Sequence, residues 1–196
     1  MRGWIVLAAL AVMAQAPAPP APRPAPDRPP LVPQRDASVL YRLVPAEGPE
    51  QEVRVTTQAG GSPMRVDMAD ESWMLVDRRA RRMAMVVMAE ETVVDMPYQG
   101  PPPQFVLSPA MRFARRGVDI VAATRCTVWY VVLGAQKGVM CITDDGVLLR
   151  KQGQDERGRR TLVEAISVSF APATNAEFTP PADYERLSGG QPEAGP

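Results

Sequence analysis

The 196-residue sequence predicts a mainly β fold: a single large curved antiparallel sheet or a half-open β-barrel, with at most one or two short helices. Three observations carry that expectation. Short runs alternate between apolar and polar residues, turn-forming residues separate them, and several central runs are apolar on both faces. About ten such strands in one sheet would curl, split into two layers or close.

The elements follow in order. Residues 38–44 and 52–58 alternate, with Val53 and Val55 on one face and Arg54 and Thr56 on the other. Gly60-Gly61 supplies a turn. Met64, Val66 and Met68 then alternate with Arg65 and Asp67, and residues 72–77 form a denser apolar run. Arg78, Arg79, Arg81 and Arg82 mark the next turn. Residues 83–88 and 92–96 make a further pair around Glu90-Glu91, and Pro97 closes this series. A loop opens at Pro101-Pro102-Pro103. Ser108-Pro109 suits the start of a short helix through Arg115, with serine at the cap and proline at the first helical position; a bent strand fits the same residues. Residues 118–124 come next, then a hairpin from 127–133 through Gly134-Ala135-Gln136-Lys137 to 137–143. Asp144-Asp145-Gly146 between apolar runs is the strongest hairpin signal in the chain. Residues 161–170 are the last strand. Trp73 and Leu75 oppose Met74 and Val76, and Met83, Met85 and Val87 oppose Ala84, Val86 and Met88. One face can pack on a small helix or loop, so the other calls for a second layer or a cavity.

The ends differ in kind. Arg2, the apolar run from Trp4 to Val12 and the small residues after it read as a signal peptide over 1–16, cleaved after Ala14 or Ala16. That run is too short to span a bilayer, and no later stretch is longer, so a soluble periplasmic protein without a transmembrane anchor is expected. No cysteine near the cleavage site offers a lipid anchor. About half of residues 17–33 are proline, so 17–35 is expected as a disordered linker, extended over up to roughly 50 Å. Tethering is its plain role; Pro22-Arg23-Pro24 and Arg28-Pro29-Pro30 also resemble ligands of aromatic grooves. Residues 36–187 form one β-rich domain, and 188–196 a disordered tail.

Composition excludes several functions. Lys plus Arg and Asp plus Glu each number 22, so no overall field attracts nucleic acid. Histidine is absent, which removes Ser-His-Asp, Cys-His and His-metal chemistry. Asp144-Asp145, Asp70-Glu71 and Glu90-Glu91 fall in turns, where carboxylates are expected for backbone reasons alone. No nucleophile has a visible base beside it, and nothing calls for a cofactor or metal: the chain reads as a non-enzyme. The arginines at 78, 79, 81 and 82 suit a lipid phosphate, or more simply a charged edge that discourages strand pairing.

Cys126 and Cys141 are the two cysteines of an exported chain, which reads as a disulfide across or nearly across a hairpin. A redox pair normally has two intervening residues, so this spacing favours a staple. The methionines at 64, 68, 74, 83, 85, 88 and 96 sit at strand periodicity. They suit core packing, an adaptable apolar lining, or Cu(I) through thioethers, although no histidine or tight methionine repeat accompanies them.

The succession Val53-Arg54-Val55, Met64-Arg65-Val66-Asp67, Trp73-Met74-Leu75-Val76-Asp77-Arg78, Arg82 through Met88 and Thr92 through Pro97 resembles exported bacterial domains of unknown function related to the outer-membrane lipoprotein carriers (LolA-like superfamily). Gly117, Asp119, Val121, Cys126-Thr127-Val128-Trp129, Cys141 and Asp144 through Arg150 continue the resemblance, which departs at Ala123, where such proteins often have glycine. It implies a half-open barrel, in the carriers with a concave face for acyl chains.

Two functions are therefore expected. One is a periplasmic binder of lipid or lipoprotein acyl chains, lined by Trp73, Leu75, Met83, Met85 and Trp129. The other is an envelope structural or interaction protein with a filled core, acting on a partner protein through its surface or Pro-rich arm.

Overall fold

In the computed structural model, which describes residues 27–68, 70–154 and 158–189, twelve strands form one sheet. They are β1 (Ala37–Val44), β2 (Gln51–Thr57), β3 (Met64–Asp67), β4 (Ser72–Asp77), β5 (Arg82–Val87), β6 (Thr92–Met96), β7 (Arg112–Val121), β8 (Thr124–Leu133), β9 (Gln136–Ile142), β10 (Leu148–Gln154), β11 (Arg160–Ser169) and β12 (Glu185–Ser188). Their order is β12-β6-β5-β4-β3-β2-β1-β11-β10-β9-β8-β7. All pairs are antiparallel except β12 with β6. The sheet stays open, with β7 and β12 at its edges. Two 3-10 turns, Met88–Glu90 and Asn175–Phe178, are the helical content among the described residues.

Residues 112–115 are strand rather than the short helix that Ser108-Pro109 suggested. Ser108 does accept from the Ala110 N–H, but only a single turn follows before β7 pairs with β8. Cross-strand pairing outweighs the local cap.

Directly opposed residues share a face, so register sorts the core. Val39, Tyr41, Val55, Met64, Val66 and Val76 lie on one face of β1–β4, and the main cluster forms there. Trp129, Met140, Ile142 and Leu148 continue that face across β8–β10. Residues 97–111 strap it: Phe105 stacks on Tyr41 at 5.4 Å between ring centres, and Leu107 joins Trp129. The signal was the apolar triplet Phe105-Val106-Leu107 inside a Pro-rich loop, which has to be buried somewhere.

Residues 29–35 are a second strap. Gln34 N–H donates to the Asp145 carbonyl and Gly60 N–H to the Pro33 carbonyl, each at 2.7 Å, and Leu31 packs against the cluster that contains Trp129. Gly146 has φ +82° and faces the Val32 carbonyl, where a Cβ would come within 2.7 Å. Glycine therefore serves both the turn and the seat of the strap. The solvated spacer expected over 17–35 gives way here to chain laid on the sheet; residues 1–26, with the signal peptide, lie outside the described residues.

The opposite face of β3–β6 is covered by the C-terminal segment. Phe178 packs on Trp73, Leu75, Ala84, Val86 and Val93. Thr174 and Glu177 form a reciprocal cap around the turn that presents Phe178, and Arg186 of β12 binds Asp95 of β6 through both carboxylate oxygens.

Asp119 on β7 forms an ion pair with Arg150 on β10. Three strand spacings of a flat sheet would separate them by about 14 Å, so the sheet curls here. Arg150 also reaches Glu164, which binds Arg42 at 2.8 Å. With Cys126 opposite Asp119 and Cys141 opposite Arg150, one row runs across six strands: Asp119, the disulfide, Arg150, Glu164 and Arg42.

Tyr41 is buried, and its hydroxyl donates to the Leu148 carbonyl at 2.5 Å, tying β1 to β10. Burial pushes its phenol well above the usual tyrosine value. The unfolded phenol ionises near pH 10 while the folded one stays protonated. The stabilisation is thus complete below about pH 10 and declines above it. Tyr41→Phe should cost about 1–3 kcal/mol at neutral pH by stranding the carbonyl, yet lose stability less steeply than the parent above pH 10. Urea unfolding from pH 8 to 11 checks this; equal alkaline slopes would contradict it.

Candidate functional site

The expected acyl-binding residues do not converge. Trp73 and Leu75, 3% and 6% exposed, are on the face covered by Phe178. Met83 and Met85 occupy the strapped face, because they oppose Val76 and Met74. Trp129, 3% exposed, is on the strapped face but belongs to the cluster around Leu107, with Phe113 edge-on at 6.1 Å. On β4 and β5 one apolar side is thus covered by Phe178, and the other is the outer part of the strapped face.

Beneath the straps, between Tyr41, Val55, Met64 and Phe105, about 30 Å³ remains free. That is room for a water, whereas pockets for small ligands occupy about 300–1,000 Å³. Larger hollows are open clefts. One of about 390 Å³ lies beside Leu43, Gln104 and Lys151, and one of about 240 Å³ beside Met111, Met140 and Lys151. Lys151 between them donates to the Pro103 carbonyl at 3.1 Å, and desolvation holds its ammonium below the usual lysine value. A third cleft of about 500 Å³ has a mixed lining that includes Val44, Tyr130, Val139, Gln152 and Arg160.

Toward β6 the strapped face becomes less covered. Met74 opposes Met85, Met83 opposes Met96, and all four are half-buried. The register gathers four thioethers on three strands, a flexible and polarizable ledge.

The carboxylate pairs serve their turns. Asp70 accepts from the Ser72 hydroxyl and N–H, which lower its pKa. Glu71 and Glu91 hold left-handed turn positions at φ 58° and 49°. Asp145 lends its carbonyl to Gln34 and its carboxylate to Arg35. The four arginines after β4 are exposed around a turn whose N–H groups at 79 and 80 donate to Asp77; Arg81 lies 5.0 Å from the centre of the Tyr98 ring.

Cys126 and Cys141 are joined, with Cα atoms 5.4 Å apart. Cys141 faces Val128, so the bond runs diagonally between β8 and β9. At Ala122-Ala123 both residues have positive φ, 48° and 58°. This is the tight turn normally made with asparagine and glycine, and alanine accepts it here between two long paired strands.

Sequence reading missed the edge. Strand β7 pairs with β8 alone, although the curl of the sheet brings part of it near β11, and most of it is exposed, including Val118 at 52% and Ile120 at 70%. Four arginines within or beside one strand, Arg112, Arg115, Arg116 and Arg125, were the available signal.

Among solved structures, MucB is similar to this chain at 13% identity and a TM-score of 0.48, over 80% of this chain and 61% of MucB. The chain thus spans less than two thirds of the length of that protein. A putative outer membrane lipoprotein-sorting protein domain from Vibrio parahaemolyticus is similar at 11% identity and TM-score 0.35, covering 74% of this chain and 90% of that one. A LolA superfamily protein from Nitrosomonas europaea is similar at 11% identity and TM-score 0.38, covering 75% and 91%. The likeness is one of fold alone. No protein-family model and no curated protein matches the chain. Among the described residues no helix is long and apolar enough to cross a membrane.

Proposed function

We propose that this chain is a non-enzymatic interaction protein of the bacterial envelope, working through its outer surface over a core filled by its own chain. The observation that supports it most is the strapped face: Phe105 and Leu107 are buried against the sheet, and the space directly beneath them is only about 30 Å³. Export is read from residues 1–16 and fits the disulfide. Native mass spectrometry of the full chain, purified from the periplasm without detergent, tests the reading. The expected result is a bare mass, lighter by two hydrogens for the disulfide. A reproducible adduct released as lipid on denaturation would overturn it.

One observation favours the acyl-binding alternative. The half-buried ledge of Met74, Met83, Met85 and Met96 continues the strapped face, and displacement of residues 97–111 would extend it inward. The same spectrum decides between the two.

A further inference from the structure

We propose that β7 is a docking edge for an extended acidic peptide segment of a partner protein, which adds to the sheet as a further strand. This rests on the surface-acting reading above and names its site and partner chemistry.

Both ends of the sheet end in a strand, but they are unlike. Strand β12 has four residues, whereas β7 has ten. Half of the N–H and C=O groups of an edge strand point away from its neighbour, so β7 offers several unpaired groups in a row. Natural edges of this length are usually blunted. Here the bulge between Arg115 and Gly117 and the row of arginines do so against other copies of the same strand, since like charges would face each other. The same charges attract a strand of opposite sign.

Register defines the complement. Arg112, Ala114, Gly117 and Asp119 share the face of Tyr130 and Cys126, and Arg116 at the bulge lies 5.4 Å from the centre of the Tyr130 ring. Asp119, the one carboxylate of β7, is engaged by Arg150. The other face carries Phe113, Arg115, Val118 and Ile120, with exposed Arg125 opposite Ile120. Among the described residues Arg112, Arg115 and Arg125 form no ion pair. One face is thus cationic, and the other is mainly apolar with flanking guanidinium groups. A segment alternating carboxylate and aliphatic side chains meets both: carboxylates toward Arg112 and Arg116, aliphatic groups over Val118 and Ile120. Main-chain hydrogen bonds would supply affinity, and the alternating side chains register and selectivity.

The test uses the full chain and two capped ten-residue peptides, one alternating glutamate and valine, the other lysine and valine. Fluorescence anisotropy at low salt should show the acidic peptide binding at least tenfold more tightly. Amide hydrogen exchange should slow in β7 when that peptide is bound. Arg112→Glu/Arg115→Glu/Arg116→Glu, at exposed positions, should reverse the peptide preference while leaving the melting temperature near that of the parent. Equal affinity for both peptides, no binding, or protection confined to another element would overturn the assignment. A dimer that forms through β7 and excludes the peptide would make the occupant a second copy, and would overturn it too. Failure of peptide binding with a bare native mass removes this site alone; a lipid adduct removes the surface-acting reading whatever the peptides do.

Discussion

Phe105→Ala is expected to lower stability by about 3–5 kcal/mol, the usual cost of truncating a buried phenylalanine. In a domain of this size that is a fall of roughly 6–20 °C in melting temperature. Phe105 is buried, stacked on Tyr41, and forms one wall of the small space under the strap. Residues 97–111 are also held by the Lys151 bond to the Pro103 carbonyl, by Leu107, and by Tyr98, Val106 and Met111 packed on the core, so the strap should stay in place. Truncation should therefore leave an apolar void joined to the existing one, and such voids stay dry and take up small apolar molecules. Benzene should raise the melting temperature of the variant and leave that of the parent unchanged. A fall of under about 2 °C without a benzene effect would show that the strap does not seat on the sheet through Phe105.

The fold was legible wherever alternation and turn chemistry agree. Val53 and Val55 against Arg54 and Thr56, and the Asp144-Asp145-Gly146 turn, signal strands and hairpins from local residues alone. The site was harder to read because burial on two sides leaves the same trace whatever covers each side. Trp73 and Leu75 looked like cavity wall, but Phe178, about a hundred residues later, covers them; no local pattern announces that pairing. The straps were hidden for a related reason. Proline-rich stretches signal the lack of regular structure, and that is compatible both with solvent and with lying along a sheet. Leu31 and the triplet at 105–107 were the only hints that these segments bury apolar surface. Edge status was invisible because it depends on the order of strands, which places β7 at the end of the sheet after β11, β10, β9 and β8.

That position gives the disulfide its largest consequence. Replacing both cysteines, Cys126→Ala/Cys141→Ala, should cost on the order of 3 kcal/mol by the loop-closure estimate for a 15-residue separation, roughly 6–12 °C in melting temperature. The double variant avoids leaving a lone thiol in a site where both side chains are at most 2% exposed. The loss should also be local. Strand β7 pairs with β8 alone, and β8 is locked to β9 by this bond, so the bond helps fix the outermost hairpin to the body of the sheet. Without it, Asp119 and Arg150 still span the curl, but an ion pair in which Asp119 is exposed to solvent is a weak substitute for a covalent link. Hydrogen exchange should quicken first in β7 and β8, while β1–β5, held by the Phe105 and Phe178 clusters, keep most of their protection. If β7 is the docking edge, the acidic peptide should bind the double variant more weakly, because the strand it adds to is less well ordered. A uniform rise in exchange over all strands would mean that the bond stabilises the domain as a whole, and an unchanged melting temperature would mean that it contributes nothing.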